Sequence, residues 1–221
     1  MRKLTAAAFV SLDGVMQGPG GPSEDPTGHF DQGGWVFGIG DDVIDPVLGA
    51  LFEPPYALLL GRRTYDIFAA YWPFVDAAMA DMGEALTAAE KYVVTRREQP
   101  LDWANSHRLD GIAAVQALKE TDGPDLLIQG SSTLYPPLLA AGLVDELVLM
   151  TFPILLGTGK RLFGTGTPPA ALRLLDQQVG TKGVIVTRWA PAGPVPKVNH
   201  PYPSTSAAEA ERQRHIQDGT W

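Results

Sequence analysis

A short segment near residue 60 combines the residue types that bind phosphate groups. Gly61, Arg62, Arg63 and Thr64 directly follow the apolar run Tyr56–Leu60, and the residues beyond them place apolar side chains at helical spacing. The apolar run is too short for a stable helix and is typical of a strand buried on both faces. At the carboxyl end of such a strand, glycine lets the backbone approach a ligand, and the free N–H groups of the helix start attract anions. The pattern therefore favours a phosphate-binding turn, although two arginines in a loop are also common on solvated surfaces.

Two further strand signals end in residues suited to the same chemistry. Lys91–Thr95 is rich in β-branched residues and is followed by Arg96. Pro124–Ile128 is a buried-strand signal that continues into Gln129–Thr133 and then into an apolar helix signal. A turn of small residues between a strand and a helix places backbone N–H groups against a pyrophosphate. The small residues in this turn are Gly130, Ser131 and Ser132.

The elements that must position these turns alternate between strands and helices. Strands are predicted at Lys3–Val10, Tyr56–Leu60, Lys91–Thr95, Ser106–Leu109, Pro124–Ile128, Val144–Leu156, Leu172–Val179 and Gly183–Trp189. Helices are predicted at Asp41–Glu53, Tyr65–Trp72, Asp76–Ala88, Ile112–Thr121 and Leu134–Ala141. We therefore predict a mostly parallel sheet with helices on both faces and an antiparallel hairpin at one edge.

Two segments lack this periodicity. Gly18–Gly40 is rich in Gly, Pro, Asp and Ser, and a loop of this length in a compact domain is typically a lid or a binding segment. Its apolar residues Trp35, Val36 and Phe37 would either close over a ligand or pin the loop to the core. Residues 191–206 have the composition of an extended linker, and Ala207–Gln217 could form a short polar helix. We therefore expect one domain over residues 1–190 and a tail over 191–221, docked on its own domain or on a partner subunit.

The composition narrows the function classes. The chain has 221 residues, 45% of them hydrophobic, enough to bury one sizeable core. A net charge of −8 without a basic run disfavours nucleic-acid binding. No apolar span approaches the roughly twenty residues of a membrane helix. The short apolar run near the amino terminus lacks a cleavage pattern and is interpreted as a strand, so we expect a soluble cytoplasmic protein.

Several familiar sites are excluded by missing residues. The chain contains no cysteine, which excludes thiolate metal sites and a cysteine nucleophile. Its four histidines are far apart in the sequence, and no other metal-binding pattern is present, so we expect no metal site. The segment Gly157–Arg161 fails the P-loop pattern, and neither a G-x-S-x-G elbow nor a Rossmann fingerprint occurs in the required context.

The residues assembled in this order resemble the dihydrofolate-reductase-like superfamily. Within it, the chain is most similar to stand-alone relatives of the RibD C-terminal domain, the reductase domain of riboflavin biosynthesis. Four parts of the chain carry the resemblance, which extends over roughly residues 2–190. They are Ser11–Gly14, Gly61–Tyr65, Leu127–Ser131, and Val144–Leu147 together with Pro153–Phe163.

This resemblance implies a dihydrofolate-reductase-like α/β fold, with three layers (α/β/α), a mixed and mostly parallel central sheet, and a C-terminal antiparallel hairpin. It also implies NADPH as the cofactor. Gly61, Arg62, Arg63 and Thr64 would hold its phosphates, and the loop from Asp13 to Gly20 would lie over the nicotinamide. The adenosine 2′-phosphate would lie between Thr95 and Arg96, which would favour NADPH over NADH through charge-assisted hydrogen bonds. Gly130, Ser131 and Ser132 would contact the pyrophosphate. The family often has two glycines here, and Ser131 replaces the second.

The catalytic carboxylate is less specifically indicated. Dihydrofolate reductases carry an acid on the first helix, and Asp45, sixteen residues before Gly61, has the matching spacing. Asp45 could equally be a helix-start residue favoured by the helix dipole. Asp13 is the other candidate, either for substrate contact or as a turn residue. Hydride transfer needs mainly positioning and exclusion of water, so few catalytic side chains are required.

The resemblance implies an NADPH-dependent reductase of a pteridine-like or pyrimidine-like heterocycle. The riboflavin-pathway reductase acts on a phosphoribosylated aminouracil, and its relatives form homodimers through an edge strand, which we also expect here. The zinc deaminase domain that accompanies the bifunctional riboflavin enzyme is missing from this chain, which has none of the required cysteines. Two alternatives remain, a dihydrofolate reductase that uses Asp45, and a nucleotide-binding or assembly protein that has lost catalysis.

Overall fold

The fold is built on one eight-stranded sheet in the computed structural model, which describes residues 1–197 and 206–221. The strand order across the sheet is β4-β3-β2-β5-β1-β6-β8-β7. The strands are β1 (Leu4–Ser11), β2 (Tyr56–Gly61), β3 (Glu90–Val94), β4 (Ser106–Leu109), β5 (Asp125–Gln129), β6 (Glu146–Phe152), β7 (Leu172–Val179) and β8 (Ile185–Pro191). The first six strands are mutually parallel, and β8 pairs antiparallel with both β6 and β7.

Helices cover both faces of this sheet. One apolar core includes side chains from α1, α2 and α3, and a second core includes side chains from α4 and α5. The helices are α1 (Ile44–Leu51), α2 (Arg62–Tyr71), α3 (Ala80–Ala88), α4 (Gly111–Lys119), α5 (Tyr135–Ala140) and α6 (Ala207–Gln217). The predicted fold class, a three-layer α/β arrangement with a terminal hairpin, is confirmed.

The central strand β2 shows why its sequence is continuously apolar. All six of its residues are buried. Leu58 and Leu60 pack into the core on the α1–α3 face, whereas Ala57 and Leu59 pack into the core on the opposite face. Successive side chains of a strand point to opposite faces, so a strand covered by helices on both sides needs apolar residues at every position.

Local side-chain contacts shorten three of the predicted elements. The helix predicted to start at Asp41 starts at Ile44, because the carboxylate of Asp41 accepts hydrogen bonds from the backbone N–H groups of Lys182 and Val184. The helix predicted from Asp76 starts only at Ala80, since residues 72–74 form a 3-10 turn and Asp76 accepts a hydrogen bond from the N–H of Ala78. The strand predicted over Val144–Leu156 covers Glu146–Phe152, and Pro153 has no N–H to continue it.

The tail is described only in part. β8 continues to Pro191, and α6 occupies the predicted range Ala207–Gln217, with the hydroxyl of Ser206 accepting a hydrogen bond from the N–H of Glu209. The predicted linker at 191–206 falls largely outside the described residues, and the division into domain and tail stays a prediction. Within residues 1–197 and 206–221, no helix combines the length and apolarity needed to cross a membrane.

Candidate functional site

The carboxyl edge of the parallel strands collects most of the predicted site residues. Asp13 follows β1, Gly61–Thr64 end β2 and begin α2, Thr95 and Arg96 follow β3, and Gly130–Ser132 follow β5. Since β3, β2, β5 and β1 are consecutive neighbours in the sheet, these turns lie side by side along one edge. Ligand sites of open α/β sheets lie at this edge.

The hydroxyl of Ser131 joins two of these turns directly. Its oxygen accepts a hydrogen bond from the backbone N–H of Gly61 at 2.7 Å, and the hydroxyl donates to Oγ1 of Thr64 at 2.7 Å. Ser131 holds a positive φ of 66°, a left-handed conformation that favours glycine. Ser131, which stands where the related family often has a second glycine, thus adopts a backbone conformation typical of glycine. Its side chain adds a hydrogen-bonded bridge between the two turns.

Gly61 is required by this bridge for steric reasons. A Cβ atom at residue 61 would lie 2.8 Å from Oγ and 3.0 Å from Cβ of Ser131. The φ of Gly61 is −81°, a value open to any residue, so space rather than backbone freedom selects glycine. α2 starts immediately afterwards without a capping side chain, which leaves the N–H groups of its first turn free to bind an anion.

The two arginines of the turn have different environments. Arg62 donates from Nε to the carboxylate of Asp66 at 2.7 Å and from Nη1 to the carbonyl oxygen of Gln99 at 2.9 Å. Its guanidinium therefore ties α2 to the loop that follows β3. The side chain of Arg63 is 55% exposed, and its Nη1 lies 3.8 Å from the carboxylate of Asp25. Arg63 is the more available of the two for a ligand.

An open depression lies beyond the end of β3. It has a volume of about 630 Å³ and is lined by Thr95, Arg96, Glu98, Arg108 and Asp110. Arg96 is exposed, and Thr95 is buried, with its hydroxyl accepting a hydrogen bond from the N–H of Arg97. Arg108, on β4, was not singled out from the sequence, because only the parallel pairing of β3 with β4 brings it beside the residues after β3. The lining contains two cations and two carboxylates, so its charge is balanced.

The carboxylate of Asp13 is held by three hydrogen-bond donors. Its carboxylate accepts hydrogen bonds from the hydroxyl of Ser11 at 2.5 Å and from the N–H groups of Leu156 and Gly157 at 3.1 and 2.8 Å. The hydrogen bond from Ser11, followed by those from the backbone, lowers the pKa of Asp13 to about 2. Arg161 also faces this carboxylate at 3.7 Å. Asp13 is thus ionised at neutral pH and fixes the loop after β6 against the turn after β1.

Asp45, the other predicted carboxylate, is exposed in the first turn of α1. Its neighbours Val43 and Ile44 are buried in the core. Because α1 ends shortly before the amino end of β2, the helix starts towards the carboxyl edge of the sheet, on the same side as the turn that Asp41 binds. Asp45 therefore lies at the periphery of the edge, and its catalytic role stays a prediction.

The long loop after β1 is organised by residues that the sequence analysis did not identify. Gln17 is 4% exposed, and its side-chain amide donates to the carbonyl oxygens of Asp25 and Thr27 and accepts from the N–H of Lys160. Lys160 forms an ion pair with Asp25. Trp35 donates from its indole N–H to the carbonyl oxygen of Gln17 at 2.9 Å. These partners are far apart in the sequence, so no local pattern indicates them.

The apolar residues of this loop have two different roles. Trp35 and Val36 are buried, and Trp35 packs edge-on against Phe152 at the end of β6. Phe37 is 76% exposed. Two of the three residues therefore pin the loop to the core, and only Phe37 is free to contact a ligand. In the described part of the chain, no group of three or more His, Asp or Glu side chains is placed to hold a metal ion.

Comparison with known proteins identifies one family. Residues 2–186 match the RibD C-terminal domain. The uncharacterized protein YyaP of Bacillus subtilis strain 168 is 26% identical over 195 residues, which cover 85% of this chain and 95% of YyaP.

Two solved structures share the fold. A protein from Shewanella sp. PV-4, named provisionally as a riboflavin biosynthesis protein, has a TM-score of 0.63 at 19% identity, over 86% of this chain and 99% of that one. A pyrimidine reductase-like protein from Corynebacterium diphtheriae has a TM-score of 0.56 at 16% identity, over 86% and 92%.

The contact between Gly61 and Ser131 can be tested by a double-mutant cycle. We expect Gly61→Ala to lower the free energy of unfolding by about 1–3 kcal/mol, because the new methyl group overlaps the side chain of Ser131. In a Ser131→Gly background the overlapping atoms are absent, and the same substitution should cost less than about 0.5 kcal/mol. Urea unfolding of the four proteins measures both costs. Ser132→Gly is the matched control. If Gly61→Ala costs the same in the wild-type and Ser131→Gly backgrounds, its contact with Ser131 is not the cause of the destabilisation.

Proposed function

Because the chain belongs to the RibD C-terminal domain family, we propose that it is an NADPH-dependent reductase of a pyrimidine-like or pteridine-like heterocycle. The observation that carries the proposal is the pairing of two anion-suited turns through Ser131. One is the uncapped start of α2, and the other is the small-residue turn Gly130–Ser132. The similarity of the fold to a pyrimidine reductase-like protein supports the same reaction class.

The residues at the carboxyl edge fit the phosphate groups of this cofactor. The N–H groups of the first turn of α2 and the exposed guanidinium of Arg63 would bind the pyrophosphate. Arg96 and Arg108 line the depression next to this turn and would bind the adenosine 2′-phosphate. Glu98 and Asp110 lie in the same depression, so preference for NADPH over NADH depends on the arginines engaging the phosphate closely.

The reaction makes few chemical demands on the side chains. The cofactor, when bound, would supply a hydride to the carbon of a C=N or C=O bond of the substrate, whose nitrogen or oxygen then takes up one proton. Asp13 is a poor donor of this proton because its pKa of about 2 leaves it ionised at neutral pH. We assign to Asp13 the positioning of the loop after β6, and we assign the proton to water. Exclusion of other water and orientation of the two reactants provide the remaining catalysis.

We further propose that the chain forms a homodimer through β7. β7 is an eight-residue strand at the edge of the sheet, and seven of its residues are exposed. Leu175 lies at a register shift between β7 and β8 and is 44% exposed. Long apolar edge strands pair readily with another strand. The opposite edge strand, β4, has only four residues and is more polar, so β7 is the better candidate.

Cofactor binding tests the proposed function first. In a fluorescence titration we expect NADPH to bind, and Arg63→Ala and Arg96→Ala each to weaken its affinity about tenfold by removing a charge-assisted hydrogen bond. Arg96→Ala should leave NADH affinity within about twofold, since NADH has no 2′-phosphate. Arg62→Ala should have a smaller effect, because Asp66 and Gln99 already hold that guanidinium. Arg173→Ala on β7 is the control. The proposal fails if the wild-type protein binds neither nucleotide.

The effect of replacing Asp45 distinguishes the proposed reductase activity from dihydrofolate reductase activity. NADPH oxidation is measured with a panel of pyrimidines and pteridines that includes dihydrofolate. We expect Asp45→Asn to retain turnover of the accepted substrate within about threefold, because the carboxylate is exposed to solvent at the periphery of the carboxyl edge. Asp31→Asn, an exposed carboxylate on the long loop, is the control. Turnover of dihydrofolate that Asp45→Asn lowers by about a hundredfold or more would assign the activity to dihydrofolate reductase.

The dimer is tested by light scattering on the size-exclusion eluate. We expect the wild-type mass to be twice that of one chain, and Leu175→Lys to shift it to one chain because the introduced charges repel across the paired strands. Phe74→Lys changes an apolar residue on the α2 side that is more exposed than Leu175, and it should leave the mass unchanged. A monomeric wild-type protein would refute the proposal.

A further inference from the structure

The charges at the carboxyl edge of the sheet are divided into two halves. On the side of β2, β3 and β4, Arg63 and Arg96 are exposed, with Arg63 3.8 Å from the carboxylate of Asp25, and Arg108 lines the depression. On the side of β1 and β6, the cations are Lys160 and Arg161 in the loop after β6, and each lies against a carboxylate. The substrate of the proposed reductase would bind on this second side, beside the turn after β1.

The ammonium group of Lys160 is bound by residues of the long loop after β1. Its ammonium group forms an ion pair with Asp25 and donates to the hydroxyl of Thr27 at 2.7 Å. The side chain of Asp25 is 9% exposed, so the pair is largely removed from water. A substrate phosphate that took Lys160 would leave the largely buried carboxylate of Asp25 with only the more distant guanidinium of Arg63, at 3.8 Å, which is unfavourable. Gln17 fixes both ends of this contact, since it binds the backbone of Asp25 and of Lys160.

Arg161 is engaged by the turn after β1. Its guanidinium donates to the carbonyl oxygens of Asp13 and Gly157, and it lies 3.7 Å from the carboxylate of Asp13. Because the pKa of Asp13 is lowered to about 2, this carboxylate remains charged and neutralises Arg161. A phosphate group near Arg161 would also approach the negative charge of Asp13.

The third cation on this side is Lys182, in the turn before β8. Its ammonium group donates to the carbonyl oxygen of Ile39 at 3.2 Å, and its backbone N–H binds the buried carboxylate of Asp41. Asp42 binds the N–H of the adjacent Thr181. Lys182 therefore lies next to two carboxylates. Exposed side chains near the turn after β1 include those of Arg161 and Thr158 and the apolar ones of Leu12 and Leu155. The loops that carry the two leucines are joined by the hydrogen bond from Leu12 N–H to the carbonyl of Ile154.

We infer that the substrate is an uncharged heterocycle, one that carries neither a phosphate nor a carboxylate group. This inference rests on the proposed reductase function. It separates the chain from the riboflavin-pathway reductase, whose substrate is phosphoribosylated. The cations that could bind such a phosphate are the ones that hold the long loop and the loop after β6 in place.

Two matched ligand pairs test the charge preference, one for each heterocycle class. They are uridine with uridine monophosphate, and neopterin with neopterin monophosphate. Binding is measured by calorimetry on the full chain saturated with NADP⁺, which prevents turnover. In the pair that binds more tightly, we expect the uncharged member to exceed the phosphorylated member by about tenfold or more in affinity. Equal affinities, the absence of binding in both pairs, or tighter binding of a phosphorylated member overturns the inference.

Variants identify the cause of the preference. Asp25→Asn removes the partner of Lys160 and should narrow the difference between the two members by about tenfold, through tighter binding of the phosphorylated one. Asp31→Asn removes an equal charge from the same loop without touching Lys160, and it should leave the difference unchanged. An equal effect of the two variants overturns the assignment to Lys160. Failure of NADP⁺ to bind refutes the reductase proposal itself, whereas NADP⁺ binding with a preference for the phosphorylated member refutes only the inference about the substrate.

Discussion

The hydroxyl of Ser131 is the contact on which the arrangement of the candidate site depends. It joins the start of α2 to the turn after β5, and it does so because β2 and β5 are neighbours in the sheet. The bridge excludes any side chain at residue 61 and orients Thr64. A serine with positive φ costs some backbone energy, and the two hydrogen bonds offset this cost. The two turns are consequently held side by side at the carboxyl edge of the sheet.

The long loop after β1 shows how a segment with little regular structure can be well ordered. Residues 12–43 contain only a three-residue 3-10 turn, yet the side chains of Gln17 and Trp35 are buried within them. Gln17 supplies hydrogen bonds that a strand or helix would otherwise provide, and Trp35 anchors the segment on Phe152. Buried polar groups need such partners, and here the partners are side chains and main chain of a distant loop. The loop is therefore held in one position against the core.

The sequence contains enough information for the sheet and its helices but not for the contacts between distant loops. Ser106–Leu109 and Leu172–Val179 are strands at the predicted residues, because alternation and turn residues are local signals. The strand-to-helix turn at Gly61, for which we propose phosphate binding, is also predictable from local pattern. The ion pair of Asp25 with Lys160 joins residues 135 positions apart. The long loop that contains Asp25 has no sequence periodicity that would indicate this pair. The hydrogen bond from Arg62 to the carbonyl oxygen of Gln99 is likewise visible only in three dimensions, whereas its pairing with Asp66 has the i,i+4 spacing of a helix.

The local arrangement of charge would let an acidic protein accept the anionic cofactor that we propose. The net charge of −8 opposes a dinucleotide at long range, but exposed charges are screened within about 10 Å in physiological salt. What acts on the ligand is the local set of Arg63, Arg96 and the N–H groups of α2, which follow directly from the ends of β2 and β3 and so belong to the fold. The acids at the other end lie in loops and bind cations of those same loops. In the proposed reductase, cofactor recognition would thus be fixed by the sheet, whereas substrate recognition would be set by loop residues that can change while the sheet stays the same.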